Sequence, residues 1–140
     1  ILAIFFKGYR YCMLLDANCR IPMSQIELVD FVISSPCAFS HRLIGKIRNK
    51  SAEYTLTEIV LRITVLDCVH DDCEIIGQGD ELIQIKIPPG QAKDIVEYVY
   101  IANMRQPIGR ISCQCQILYA QGRQSSKPST QKNHPCKVPF

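Results

Sequence analysis

Apolar and polar side chains alternate with period two along most of the chain between residues 25 and 120. The clearest run follows Tyr54, where Ile59, Leu61, Ile63 and Val65 fall on one face and more polar residues fall on the other. β-Branched residues dominate this run, and a helix would spread its apolar groups around all sides. The pattern therefore predicts a long strand that buries these four side chains.

Six other alternating segments predict further strands at residues 25–34, 38–49, 74–76, 81–87, 93–100 and 110–120. Gly77-Gln78-Gly79 and Pro88-Pro89-Gly90 are interpreted as turns between them. The buried face of the first segment is not decided by its pattern. The predicted core residues of the other segments are Leu43, Ile47, Ile83, Ile85, Ile87, Ile111, Cys113, Cys115, Ile117 and Tyr119.

Seven short strands separated by turns, with no long helical pattern, predict an all-β fold. Their spacing favours a seven-stranded antiparallel sandwich of the immunoglobulin-like, Greek-key type. The predicted organisation is an N-terminal segment at 1–20, a sandwich domain at 21–120 and a disordered tail at 121–140. The tail prediction depends on its Ser, Lys, Gln and Pro content.

Charge and cysteine content limit the classes of function. The net charge is +3 and the 16 basic residues are scattered, whereas a nucleic-acid partner would require a basic patch or stripe. We therefore expect no nucleic-acid binding. The 8 cysteines in 140 residues favour an oxidising, extracytoplasmic location. A cytoplasmic domain with buried cysteines is the alternative.

The segment Ile1 to Phe6, ILAIFF, is apolar and is followed by Lys7, Tyr9 and Arg10. These flanking residue types favour a membrane-water interface. Because the first residue is Ile1 rather than Met, we expect the natural polypeptide to begin upstream. Ile1–Phe6 is then a candidate end of a membrane anchor, which needs about 20 apolar residues to span a bilayer. The alternative is a short strand or helix docked on the domain.

Three segments resemble the FxLYD family of bacterial extracytoplasmic domains: HRLIGKIRNKS, LTEIVLRITVLDCVHDDCEIIGQGD and IQIKIPPGQAKDIVEYVY. The matching positions are Gly45, Asn49, Ser51, Asp67, Pro89 and Gly90. The chain has Val65-Leu66-Asp67 in place of Leu-Tyr-Asp, and HDDC in place of the turn glycine. The resemblance covers about Leu43 to Tyr100. It implies an immunoglobulin-like sandwich tethered by an N-terminal membrane segment and without enzymatic activity, which favours the anchor interpretation of Ile1–Phe6.

The turn from Cys68 to Cys73 collects two thiols, His70 and two carboxylates. All are residue types that bind zinc, but a turn this short does not easily wrap four ligands around one ion. The two ends of a hairpin lie within the Cα range of a disulfide, about 4.4–6.8 Å. We therefore predict a Cys68–Cys73 disulfide, with a metal site as the alternative.

The other cysteines give weaker signals. Cys12 and Cys19 are candidates for a second disulfide that closes a loop in the N-terminal segment. Cys113 and Cys115 lie two residues apart on one predicted strand and face the same way, so they are interpreted as small buried hydrophobic residues. One of them is a candidate partner of Cys37. Cys136, in the tail, is expected to be free or linked to another chain.

No residue group in the sequence has the pattern of a catalytic or cofactor site, and none is predicted. The leading hypothesis is a non-enzymatic, membrane-tethered extracytoplasmic β-sandwich that acts as a structural or protein-interaction module, with an edge strand binding another protein. The alternative is a metal-binding or redox protein that uses Cys68, His70 and Cys73.

Overall fold

The computed structural model describes residues 19–37 and 40–125. These residues contain one short 3-10 helix, Met23–Gln25, and otherwise form strands and turns, so the all-β prediction is confirmed. The strands are β1 (Cys19–Ile21), β2 (Ile26–Cys37), β3 (Ser40–Asn49), β4 (Tyr54–Val69), β5 (Asp72–Ile87), β6 (Ala92–Val99) and β7 (Arg110–Gln124).

The strands form two antiparallel sheets. One sheet has four strands in the order β1-β7-β4-β5, and the other has three in the order β2-β3-β6. The chain changes sheet after β1, β3, β5 and β6. Ile1–Phe6, Cys12, Cys136 and residues 126–140 of the predicted tail lie outside the described residues. Residues 121–124, which the sequence also assigns to the tail, instead belong to β7.

The apolar core lies on the inner faces predicted from the period-two pattern. Ile59, Leu61, Ile63 and Val65 of β4 are each 0% exposed. Leu43 and Ile47 of β3 are also fully buried. On β2, whose buried face the sequence left open, Ile26 and Ile33 point inward. Alternation along a strand places every second side chain on the same face, which is why the pattern located these positions.

Strand β5 differs from the prediction, which divided it in two at Gly77-Gln78-Gly79. The strand is continuous, and Gly77 and Gly79 pair with Val65 and Ile63 of β4. A Cβ atom on Gly77 would lie 2.8 Å from side-chain atoms of both Ile101 and Met104. These glycines therefore allow another segment to approach the strand closely rather than form a turn. The structure also adds β1, within the segment predicted as a connector.

The predicted core face of β7 is correct up to Ile117 and wrong at Tyr119. Ile117 pairs with Leu61 of β4, but Tyr119 pairs with Val60, so Leu118 is an extra residue in β7. Such a bulge shifts the following side chains to the opposite faces. Ala120 is therefore the fully buried residue. The Tyr119 ring lies on the outer face, 4.4 Å from the guanidinium carbon of Arg20.

A bulge in β2 explains why position 45 is glycine. Val29 pairs with Lys46 and Val32 with Ile44, so two residues of β2 lie opposite Gly45 alone. One of them, Asp30, has a φ of 54°. The other, Phe31, places its ring over Gly45, where a Cβ atom would lie 2.4 Å from the ring atom Cδ1.

We expect Gly45→Ala to lower the free energy of unfolding by about 1–3 kcal/mol, the usual cost of overpacking a core. The added methyl group overlaps the Phe31 ring, which cannot move without disturbing the core beside it. Denaturant unfolding followed by circular dichroism measures the change. Gly79→Ala is the matched control, because its Cβ would come no closer than 3.3 Å to any atom, and that atom is the end of the Ile101 side chain. Equal losses in the two variants would contradict this explanation.

Candidate functional site

The predicted disulfide between Cys68 and Cys73 is present at the end of the β4–β5 hairpin. The two residues are cross-strand partners with Cα atoms 4.1 Å apart. Val69 pairs with Asp72, so the turn consists of His70 and Asp71, and His70 has a φ of 57°. The disulfide therefore fastens the two strands immediately before an exposed two-residue turn.

The zinc-site alternative requires Cys68 and Cys73 as thiolates, the form in which cysteine binds this metal. Their sulfur atoms are bonded to each other in the structure. Over residues 19–37 and 40–125, no three His, Cys, Asp or Glu side chains converge as a metal-binding group would. The turn is therefore closed by a covalent bond between the two cysteines, and neither cysteine is a thiolate in this structure.

The carboxylate of Asp67, next to this disulfide, is only 2% exposed. Its Oδ2 accepts a hydrogen bond from the backbone N–H of Ile108 at 2.9 Å, and its Oδ1 accepts one from Gly109 at 2.7 Å. Arg105 Nη2 donates to Oδ2 at 3.2 Å. The Ile108 N–H, followed by the Gly109 N–H and the charge of Arg105, holds the pKa of Asp67 below its usual value, against the opposing effect of burial.

These bonds fasten residues 100–109, the crossing loop that connects β6 to β7, against the hairpin. Arg105 also bonds Glu74 through its side chain, and its backbone N–H donates to the carbonyl of Ile76 at 3.0 Å. Ile101 is buried beside Gly77 and Gly79. The crossing loop thus covers the half of β5 that is nearer to the disulfide. A covered strand edge is protected from pairing with another chain.

Close packing at the base of the crossing loop requires glycine at position 109. A Cβ atom there would lie 2.2 Å from the carbonyl oxygen of Cys68, a backbone atom held by the hairpin. Gly109 is also one of the two amides bound by Asp67. The turn, the disulfide and the loop therefore form one interlocked unit, which we call the hairpin clamp: Asp67, the Cys68–Cys73 disulfide, Arg105, Ile108 and Gly109.

Sequence reasoning missed the role of Asp67, although a signal for it was present. Continuing the β4 alternation past Ile63 and Val65 places Asp67 on the core face, where it is buried. A buried carboxylate requires several hydrogen-bond donors. The donors come from a loop about 40 positions away, whose path no local pattern reveals.

A second buried polar group lies at the opposite end of the sheets, around Asn49. Asn49 is 0% exposed, and its Nδ2 donates to the carbonyls of Tyr54 at 2.7 Å and Ile87 at 2.9 Å. Its Oδ1 accepts from the Ser51 N–H at 3.0 Å. Asn49 ends β3, Tyr54 begins β4 and Ile87 ends β5. One side chain therefore joins strands from both sheets.

Cys113 and Cys115 are free thiols, so the hypothesis that one of them bonds to Cys37 is wrong. Both are partly buried against the core, and Cys113 Sγ lies 3.7 Å from the carbonyl oxygen of Phe31, to which it donates. A hydrogen bond between the Cys113 and Cys115 thiols lowers the pKa of Cys113 and raises the pKa of Cys115. Cys19 is disulfide-bonded; its predicted partner Cys12 lies outside the described residues.

An open groove of ≈ 700 Å³ lies near the Asn49 end of β4, β5 and β7. Two of its hydroxyl groups are engaged locally: Thr57 Oγ1 donates to the Gln121 carbonyl at 3.3 Å, and Thr55 Oγ1 lies 3.0 Å from Ser125 Oγ. Lys86 and Glu58 supply opposite charges to its lining. Because the lining carries charges of both signs and its hydroxyl groups are bonded within the domain, the groove favours no particular class of ligand.

Strands β5 and β6 are edge strands of the two sheets. Glu81 of β5 and Glu97 of β6 face each other across the space between these two edges. Glu81 pairs with buried Leu61, and Glu97 pairs with buried Leu43, so both carboxylates lie on inner faces. Burial raises the pKa of Glu81, and the neighbouring charge of Glu97 raises it further. A raised carboxylate pKa in the folded state means that ionisation of Glu81 destabilises the fold.

We expect Glu81→Gln to raise Tm at neutral pH, because it removes this repulsion and leaves the side-chain size unchanged. The benefit should vanish as the pH falls below about 4.3, where glutamate is protonated even in the unfolded chain. Thermal unfolding at several pH values tests this. The exposed Glu53→Gln variant is the control and should match the parent throughout. A neutral-pH Tm of E81Q at or below that of the parent would refute the assignment.

Over the described residues, no helix has the length and apolar character needed to cross a membrane. Comparisons with models of known protein families, with curated proteins and with solved structures gave no match for this chain.

Proposed function

We propose that this protein is a non-enzymatic, membrane-tethered extracytoplasmic β-sandwich that acts as a structural or protein-interaction module. The observation that carries the proposal is the Cys68–Cys73 disulfide at an exposed turn. Disulfides persist in oxidising compartments outside the cytosol, and cytosolic reductants keep accessible thiols reduced. The apolar segment Ile1–Phe6 is the proposed end of the tether.

The strand order supports a more specific proposal, an immunoglobulin-like sandwich of the FxLYD type. The sheet β2-β3-β6 corresponds in order to strands A, B and E of such a sandwich, and the adjacent strands β4 and β7 to strands C and F. The positions that carry the family resemblance have structural roles: Gly45 accommodates Phe31, Asn49 joins strands, and Asp67 holds the crossing loop.

The hydrogen bonds of the buried polar side chains favour a binding role over catalysis. Asp67 is bound by two backbone amides and by Arg105, and Asn49 by backbone groups of the domain itself. A general acid or base instead needs a proton-transfer partner within reach of a substrate. Among the exposed apolar side chains, Val32, Val96 and Tyr98 lie on the sheet formed by β2, β3 and β6.

Protease accessibility in cells that produce the full-length natural protein tests the proposed location. We expect externally added protease to digest the domain in intact spheroplasts, and the undigested protein to sediment with membranes after alkaline carbonate washing. A cytoplasmic marker protein should survive the same treatment. Protection of the domain until the cells are lysed would contradict an extracytoplasmic location, and its release by carbonate would contradict the tether.

A further inference from the structure

Strand β6 is the edge of the three-stranded sheet. It pairs with β3 from His41↔Val99 to Arg48↔Ala92, and no strand among residues 19–37 and 40–125 pairs with its other side. The crossing loop covers β5 but begins only after β6 has ended. Backbone groups on the free side of β6 are therefore available to a further strand.

The outer face beside this edge is apolar in the middle. Val32, Ile44 and Val96 lie at the same register on the three strands and form a row across the sheet. Val32 is 56% exposed and Val96 is 58% exposed. Tyr98, the next outward residue of β6, is 63% exposed. The exposed apolar surface therefore reaches the open edge of the sheet.

The inner face of β6 carries opposite charges on either side of Ile95. Lys93 lies two residues before it and Glu97 two residues after it, and both share its face because side chains alternate along a strand. Neither charge has an ion-pair partner among the described residues. Glu97 instead faces the like charge of Glu81.

We propose that β6 pairs antiparallel with β6 of a second copy of this chain, about a two-fold axis at Ile95, and so joins two three-stranded sheets into one. Pairs of this symmetry are the commonest form of oligomer. The axis places Lys93 of each copy opposite Glu97 of the other, which gives two complementary charge pairs. It also places Tyr98 opposite Ala92, so that the large ring covers a small side chain, and Val96 opposite Asp94, so that the two Val96 side chains are diagonal neighbours across the axis.

The charges select this register over its neighbours. An axis at Val96 would put Glu97 opposite apolar Ile95, and an axis at Glu97 would put the two glutamates opposite each other. Charges on the inner face of an edge strand normally discourage pairing, and like charges in cross-strand positions are destabilising. With the axis at Ile95, the same charges become attractive, and a positive charge arrives beside the Glu81–Glu97 pair.

Sedimentation velocity of the 140-residue chain, from micromolar to millimolar concentration, tests the pairing. We expect a concentration-dependent dimer. Lys93→Glu and Glu97→Lys should each weaken dimerisation about tenfold, because each turns both attractive pairs into repulsive ones. The K93E/E97K double variant should restore the parent affinity. K50E, which makes the same charge change at an exposed residue whose backbone N–H bonds Gln25, on the β2 side of the sheet, is the control.

A parent chain that stays monomeric at millimolar concentration would overturn the inference. A dimer that K93E and E97K leave unchanged, or that the double variant fails to restore, would equally overturn the Ile95 register. Circular dichroism shows that each variant is folded. The dimer gives a partner to the proposed interaction module and so rests on the proposed function. The experiments on the dimer and on the location can nevertheless fail independently. A monomer in an extracytoplasmic location refutes only the dimer, and a dimer found in the cytosol refutes only the location.

Discussion

Replacing Asn49 with alanine is expected to lower the free energy of unfolding by roughly 3–5 kcal/mol, the largest effect of any single substitution considered. The variant loses three hydrogen bonds in a fully buried position. The Tyr54 carbonyl keeps a bond from Ser51 Oγ at 3.3 Å. The Ile87 carbonyl and the Ser51 N–H lose their Asn49 partner, and desolvated polar groups without partners are the costly outcome.

Urea unfolding, followed by far-ultraviolet circular dichroism, measures this loss. The expected change is a lower midpoint with an unchanged slope, since the surface exposed on unfolding is similar. Gln114→Ala, on the exposed face of β7, is the control and should change stability little. If N49A were no less stable than Q114A, Asn49 would not be the joint between β3, β4 and β5.

Asp67→Asn is expected to give the second large effect, a clear loss of Tm at neutral pH. The N–H groups of Ile108 and Gly109 bind different oxygens of the carboxylate, and in asparagine one of these oxygens is replaced by an NH2 donor that faces an N–H group. The substitution also removes one of the two carboxylates that pair with Arg105. We expect faster amide hydrogen exchange in the crossing loop of this variant, measured by mass spectrometry, because the loop loses its attachment to the hairpin.

The pH dependence of this effect has a definite sign. The folded pKa of Asp67 lies below its unfolded value of about 3.9, so the stabilisation is present above that pH and is lost as the pH falls through the folded pKa. The Tm difference between the parent and D67N should therefore shrink in acid. Asp80→Asn is the matched control, because it removes the same charge from an exposed pair with Arg62, and such pairs contribute little. Equal losses for D67N and D80N would contradict the hairpin clamp.

The sequence was most informative where one period-two pattern acts alone. Ile59, Leu61, Ile63 and Val65 were placed in the core because nothing interrupts the alternation of β4. The prediction became wrong at Tyr119 because one extra residue in β7 reverses the faces beyond it. A bulge of this kind is set by the pairing with a neighbouring strand, which a single strand's pattern does not contain.

The candidate site was predictable in its local part only. The Cys68–Cys73 disulfide joins the two ends of one tight turn, and the spacing of the cysteines was enough to predict it. The segment Gly77-Gln78-Gly79 predicts a turn because two glycines so close together are typical of turns. Their actual role, to admit Ile101 and Met104, depends on the path of the crossing loop, and that path is fixed by long-range bonds to Asp67.

We propose that the turn rich in Cys, His and Asp holds the β4–β5 hairpin together through its disulfide and binds no metal. The most direct test is differential alkylation of the protein isolated from its natural cell without reductant, combined with elemental analysis for bound metal. Both cysteines fall in one tryptic peptide, residues 63–86. We expect Cys68 and Cys73 to react with the alkylating agent only after reduction, because they are disulfide-bonded, and we expect no stoichiometric zinc. Stoichiometric zinc, with both cysteines alkylated before reduction, would contradict it.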